Sequence, residues 1–350
     1  MSRKLRLAIM TCAAFLLAAS LVSAQQKPND DVKVLHVRGP IYLISAGGGN
    51  ITASIGPDGV LLVDTGTKEM SEKVRAAIQE IQKQLSMFAA SIAIGGADTR
   101  SAAQALRTPP PPPAGVQYIF NTHSDPEHVG GNAKLAVIPK LLSFESPESA
   151  GEDVSRVFAH ENVLLRMSAT DGKEAAHPYE DLPTDTYFTE YYKLSSYFNG
   201  EGVMAIHQPS AHTDGDSMVW FRSSDVISTG DIYMTTGYPI PELDRGGSIQ
   251  GVIEGLNKLL DLAIPEARAE GGTLIIPGHG RISDFGDIAH YRDVMTIIRD
   301  RVQDMIKKGM TLDQVKAARP TFEYDGRYGR EAGSTDRFVE AVYRSLTKKP

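Results

Sequence analysis

The chain has 350 residues, of which 36 are basic and 43 acidic, giving a formal charge of −7. That balance excludes the basic face of a nucleic-acid binder. With 41% hydrophobic and 23% charged residues, the composition is that of a globular protein, not a disordered or fibrous one. The length allows one large domain or two smaller ones.

Residues 1–24 join a short basic segment (Arg3, Lys4, Arg6) to an apolar stretch over 7–22 and to small residues at Val22-Ser23-Ala24. This is the three-part pattern of a secretory signal peptide cut after Ala24. The apolar run falls short of the roughly 20 residues that a spanning helix needs. The expectation is an exported protein, periplasmic or secreted, with no membrane attachment after cleavage. Cys12, the only cysteine, leaves with the signal. The mature chain then forms no disulfide, and any metal it holds has only nitrogen and oxygen ligands.

Residues 32–63 show alternating or apolar runs separated by Gly47-Gly48-Gly49-Asn50 and Gly56-Pro57-Asp58-Gly59, the pattern of short strands and turns. The last of these, 60–63, ends at Asp64-Thr65-Gly66. Met70, Val74, Ala77, Ile81 and Leu85 then follow at helical spacing over 68–85. The Ala-, Gly- and Ser-rich stretch 86–115, with five consecutive prolines at 109–113, is expected to be an exposed insertion carrying a stiff polyproline piece. A strand over 116–120 runs into Asn121-Thr122-His123, with a helix expected from about Asn132 and a polar, loop-rich cover over 150–182. Asn199-Gly200 marks a hairpin within 187–206. The aromatic residues Tyr187, Phe188, Tyr191, Tyr192, Tyr197 and Phe198 fit a pocket wall or a strand's buried face equally well. Further strands are expected at 218–221, 226–228 and 273–276, an amphipathic helix at 249–262, and a helical tail from Tyr291. Thr311-Leu312-Asp313-Gln314 reads as a capping box. Strand-rich halves followed by helices suggest helices packed outside a sheet sandwich.

Four of the nine histidines, His123, His128, His212 and His279, fall at or just after predicted strand ends, beside Gly and Asp. The other five lack that setting. His123-Ser124-Asp125-Pro126-Glu127-His128 places two imidazoles and two carboxylates within six residues, a loop able to aim several ligands at a pair of ions. Asp231 also follows a strand directly, in Ser228-Thr229-Gly230-Asp231.

Taken in order, Asp64-Thr65-Gly66, the His123–His128 loop, Ala211-His212-Thr213-Asp214-Gly215-Asp216, Gly230-Asp231 and Gly278-His279-Gly280 resemble the five motifs of the metallo-β-lactamase fold superfamily. The resemblance covers about residues 32–300. It implies an α/β (α+β) architecture, a four-layer αββα sandwich with metals at one edge between the sheets and, in this chain, a C-terminal helical tail. The implied division is a domain over 30–300 and a helical extension over 301–350. By position, His123, Asp125 and His212 match the first metal's ligands, and Glu127, His128 and His279 the second's. Asp231 stands at the bridging carboxylate, and Asp64 at the structural residue that steadies the ligand loop.

The usual loop is His-x-His-x-Asp-His, so Asp125 stands where a histidine is usual and Glu127 where an aspartate is. One more carboxylate makes the site less positive by one unit, which weakens the acidification of bound water and shifts preference toward harder ions such as Mn or Fe. The implied cofactors are two divalent ions, Zn foremost, with Fe or Mn as alternatives. The implied activity is hydrolysis of a small-molecule carbonyl ester, lactone or amide, β-lactam included, by a metal-bound hydroxide. Glu127 is the expected proton relay and Tyr233 the candidate oxyanion donor. The alternatives are a degenerate, non-catalytic binding member of the fold and a di-iron redox member.

Overall fold

A computed structural model describes residues 32–96, 115–137, 155–169 and 176–348. The expected signal peptide, Cys12 and the polyproline run lie outside the described residues. Among the described residues no helix is long and apolar enough to cross a membrane.

Two sheets form the centre. One has seven strands in chain order: β1 (Lys33–Arg38), β2 (Ile41–Ala46), β3 (Gly49–Gly56), β4 (Gly59–Val63), β5 (Val116–Phe120), β6 (Arg156–His160) and β7 (Asp185–Tyr187). The first four pair antiparallel through tight turns, and β4 to β7 are parallel. The other sheet has the order β12-β11-β10-β9-β8, comprising β8 (Tyr191–Lys193), β9 (Val203–His207), β10 (Ser217–Phe221), β11 (Val226–Ser228) and β12 (Leu274–Ile276). Only β11 and β12 are parallel in it.

Strand alternation explains the layering. In β4, Leu61 and Val63 point between the sheets to meet Ala205, Val219 and Phe221, while Val60 and Leu62 point outward. The outward set packs under the helix Ser71–Gly96 through Val74, Ile78 and Ile81. Burial on both faces is why this strand has no polar position. On the far side, Ile206, Met218 and Ile227 face the helices Ile249–Leu262 and Phe285–Lys307. The four layers are helix, sheet, sheet, helix.

Several expected elements fall where the sequence places them. Asn199 and Gly200 have φ of 51° and 79° and close the Phe198–Glu201 turn, the left-handed pair that the dipeptide favours. The capping box at Thr311 and Gln314 is formed. Other expectations are corrected. The stretch 150–182 contains a parallel core strand, β6, followed by the helix Glu161–Ser168. The helix begun at 71 runs to Gly96, so the start of the expected insertion is helical. Near Asn132 the helix is one turn, Asn132–Leu135. Of the aromatic run, Tyr187 and Phe198 are buried, whereas Phe188 and Tyr197 are about three-quarters exposed.

The described residues form one compact unit. The division expected at residue 300 falls inside the helix Phe285–Lys307. Ile298 and Val302 of that helix share a single apolar cluster with Val315, Phe338 and Val342, so the C-terminal helices belong to the core.

Candidate metal centre

The parallel strands β4 and β5 both end at one edge of the first sheet, and β11 and β12 end at the facing edge of the second. The loops that leave these ends carry the motif residues, as is usual for open α/β sheets.

Asp64 follows β4 with φ 63°, a left-handed conformation that costs a non-glycine residue about 1 kcal/mol or more. The turn aims its carboxylate at the next strand's loop. Oδ1 accepts from the Thr122 backbone N–H (2.8 Å), and Oδ2 accepts from the Thr122 hydroxyl (2.8 Å) and faces Nδ1 of His128 at 2.8 Å. Asp64 thereby fixes both the path of the loop and the orientation of one imidazole. His279 is oriented in the same manner by the Gly48 carbonyl, 2.7 Å from its Nδ1, and His123 by the Thr122 hydroxyl at 3.0 Å. With Nδ1 engaged, each ring turns Nε2 into the space between the sheets, the arrangement by which outer groups orient metal-ligating imidazoles.

Asp231 enters from the 3-10 turn Gly230–Ile232. Its Oδ1 lies 3.3 Å from His128 Nε2 and 3.4 Å from His279 Nε2, and its Oδ2 lies 4.0 Å from His123 Nε2. Three sets of potential ligand atoms lie within 4.8 Å of one another: His123, His212 and Asp231; His128, Asp231 and His279; and Asp125, His212 and Glu242. Gly278 makes the approach of the loops after β11 and β12 possible. A Cβ there would stand 2.0 Å from Asp231 Oδ1.

The donor set fits divalent ions. Nε2 of His123, Nε2 of His128, Nδ1 of His212 and Oδ1 of Asp231 are buried without a hydrogen-bond partner among the described residues. Each such atom costs about 1–3 kcal/mol unless something binds it. The local field also seeks positive charge. Burial and the neighbouring His128 oppose protonation of His123, yet Asp125 and Asp231 outweigh them and push its pKa up to about 9. Burial opposes the charge on Asp231, but His128 and His279 hold it well below the usual carboxylate range. Imidazoles converging on a carboxylate, with nitrogen and oxygen donors alone, suit Zn, Fe or Mn.

The structure therefore brings together His123, Asp125, His128, His212, Asp231 and His279, with Asp64 behind them. Two other expected site residues lie elsewhere. Glu127 belongs to none of the three ligand sets, and its carboxylate has no hydrogen-bond or ion-pair partner among the described residues. Tyr233 is buried in the helical core, edge-on to Tyr291 at 4.9 Å, and its hydroxyl is paired with Ser283 at 2.9 Å. A hydroxyl committed to the interior cannot serve as an oxyanion donor. The 3-10 turn just before it breaks the strand alternation that would have aimed it with Asp231.

Glu242 and Arg245 are site residues that motif reading passes over. Arg245 Nη1 donates to Asp125 Oδ1 at 2.7 Å. Their only sequence signal is a charged pair just before Gly246-Gly247-Ser248. His160, at the end of β6, likewise lies flat against His207, with ring centres 3.5 Å apart.

The sequence profile of the metallo-beta-lactamase superfamily matches residues 44–279. No curated protein matches the sequence. Among solved structures, DIM-1 metallo-β-lactamase is 14% identical, with 76% of this chain and 97% of that one aligned at a TM-score of 0.47. The metallo-β-lactamase from Pontibacter korlensis is 14% identical over 76% and 99% of the two chains, at 0.47. The inverting sec-alkylsulfatase Pisa1 from Pseudomonas sp. is 15% identical, covering 90% of this chain but 50% of its own, at 0.51. The likeness to Pisa1 is one of fold. With the profile spanning the whole run from β2 to His279, the chain belongs to the metallo-β-lactamase superfamily, whose hydrolase fold it builds with His and Asp residues positioned for metal binding.

Proposed function

We propose that the protein is an exported hydrolase that uses two divalent ions, Zn foremost, to cleave a carbonyl ester, lactone or amide bond of a small molecule, β-lactams included. One observation carries the reading: two separate ligand sets, His123–His212–Asp231 and His128–Asp231–His279, share one carboxylate. When bound, the ions supply Lewis acidity and an activated water, so no side-chain nucleophile is needed.

The chain's own residues hold that chemistry in place. Asp64, Thr122 and the Gly48 carbonyl fix the imidazole rings before any ligand arrives, so little reorganisation is left for the reaction itself. The Asp125 carboxylate is held between Arg245 and His123.

The test is elemental analysis of protein purified without added metal, followed by a screen over esters, lactones, β-lactams and a secondary alkyl sulfate. The expected result is two ions per chain and hydrolysis that chelator abolishes and added metal restores. No ion after reconstitution would favour a binding protein. Two irons with visible absorption would favour the redox reading.

A further inference from the structure

The two sides of Asp231 differ in chemistry. His128 and His279 bring imidazoles to one side. On the other, Asp125, His212 and Glu242 form a set of their own, and Glu242 lies outside the five motifs. Two of its residues carry a buried atom without a hydrogen-bond partner among the described residues: Oε2 of Glu242 and Nδ1 of His212, the latter residue only 6% exposed.

The backbone delivers Glu242 to this point. Its N–H donates to the His212 carbonyl (2.8 Å), and its own carbonyl accepts from Gly247 (3.0 Å). A Cβ on Gly247 would stand 2.0 Å from the His212 carbonyl oxygen, so the approach of the two loops requires glycine there. Arg245 grips Asp125 at 2.7 Å and stands 3.1 Å from Glu242 Oε2 as a counter-ion that is not aligned as a hydrogen bond.

We propose that Glu242 is a ligand to the ion on the His212 side, and that Asp125 joins it to make that position rich in oxygen. Arg245 is the positioning residue that holds Asp125. The inference rests on the two-ion reading above. Three carboxylates and one guanidinium sum to minus two, the same charge as the two carboxylates of the usual set, so Arg245 offsets the carboxylate that replaces a histidine. An oxygen-rich position favours harder ions, whereas the His128–His279 side favours Zn. The centre is therefore built for two unlike metals, Mn(II) or Fe(II) beside Zn(II).

The experiment titrates the chelator-stripped full chain with Mn(II), Zn(II) and Co(II) against a chromophoric chelator, and records the Co(II) spectrum. The wild type should bind two ions and place Mn(II) at one position. Glu242→Gln, which keeps the side chain's shape, should weaken the Mn(II) position at least tenfold and leave the other unchanged. Glu242→Asp should retain the preference for Mn(II) at lower affinity, and His279→Ala should impair the Zn(II) position instead. Arg245→Met should shift the Co(II) spectrum and weaken the first ion, with Arg245→Lys restoring most of the loss. Two ions bound by Glu242→Gln at wild-type affinity would overturn Glu242 as a ligand and leave the two-ion reading standing. A wild type that binds none would overturn both.

Discussion

The two halves of the centre are braced in opposite ways. Around His128, order comes from within: Asp64 is buried, accepts bonds from Thr122 and faces His128, and has no exposed partner. Around His212, order comes from the rim. The loop carrying Glu242 and Arg245 leans on the His212 backbone, and a partly exposed guanidinium holds Asp125. A buried brace is stiff and costly to break, whereas a rim brace is adjustable. The fold thus fixes the nitrogen-rich side and leaves the carboxylate-rich side to be tuned by a surface loop.

The largest expected effect is on the buried brace. Asp64→Ala leaves Thr122 and His128 facing an empty pocket and should cost about 3–5 kcal/mol in urea unfolding. A loss under 1 kcal/mol would mean that the loop holds its shape without Asp64. Next, Gly278→Ala should displace Asp231 and weaken binding at both positions by tenfold or more in chelator competition, because the added Cβ meets Asp231 Oδ1 at 2.0 Å. Unchanged affinity would show that the two loops part easily.

A smaller effect concerns His160. Burial and the stacked His207 hold its pKa down to about 4, against a weaker pull upward from Asp214. Folding therefore resists protonation that the unfolded chain accepts, and stability should fall as pH drops from about 6.5 toward 4. His160→Asn removes the titration and keeps a good cap for the helix Glu161–Ser168. Its melting temperature should fall less between pH 7 and 5 than that of the wild type, and equal slopes would assign the acid sensitivity elsewhere. The smallest effect separates the motif from the structure: Glu127→Gln should leave ion stoichiometry unchanged, and loss of an ion would return Glu127 to the ligand set.

His123, His128, His212, Asp231 and His279 were legible because each follows a strand and is flanked by Gly or Asp, a local signature. Asp64 was legible for the same reason. Glu242 was not, since it precedes a 3-10 turn, Leu243–Arg245, with no strand before it, and long-range contacts of its loop with the His212 backbone bring it there. Strand β6 was hidden by its polar flanks, its apolar core being no longer than Val157, Phe158 and Ala159. Glu127 and Tyr233 were singled out by their offset from a ligand. Tyr233 sits two residues past Asp231, and the 3-10 turn between them turns its hydroxyl to Ser283, whereas Glu127, on the short helix Pro126–Val129, falls in none of the ligand sets.

The candidate ligands come from both sheets: His123 and His128 from the loop after β5, and His212, Asp231 and His279 from loops of the other sheet. Ions held between them would act as rivets across the seam of the sandwich. At a free concentration one hundred times the dissociation constant, each site adds about 2.7 kcal/mol of stability. On the two-ion reading, metal supply would then govern how long the molecule survives heat and proteolysis.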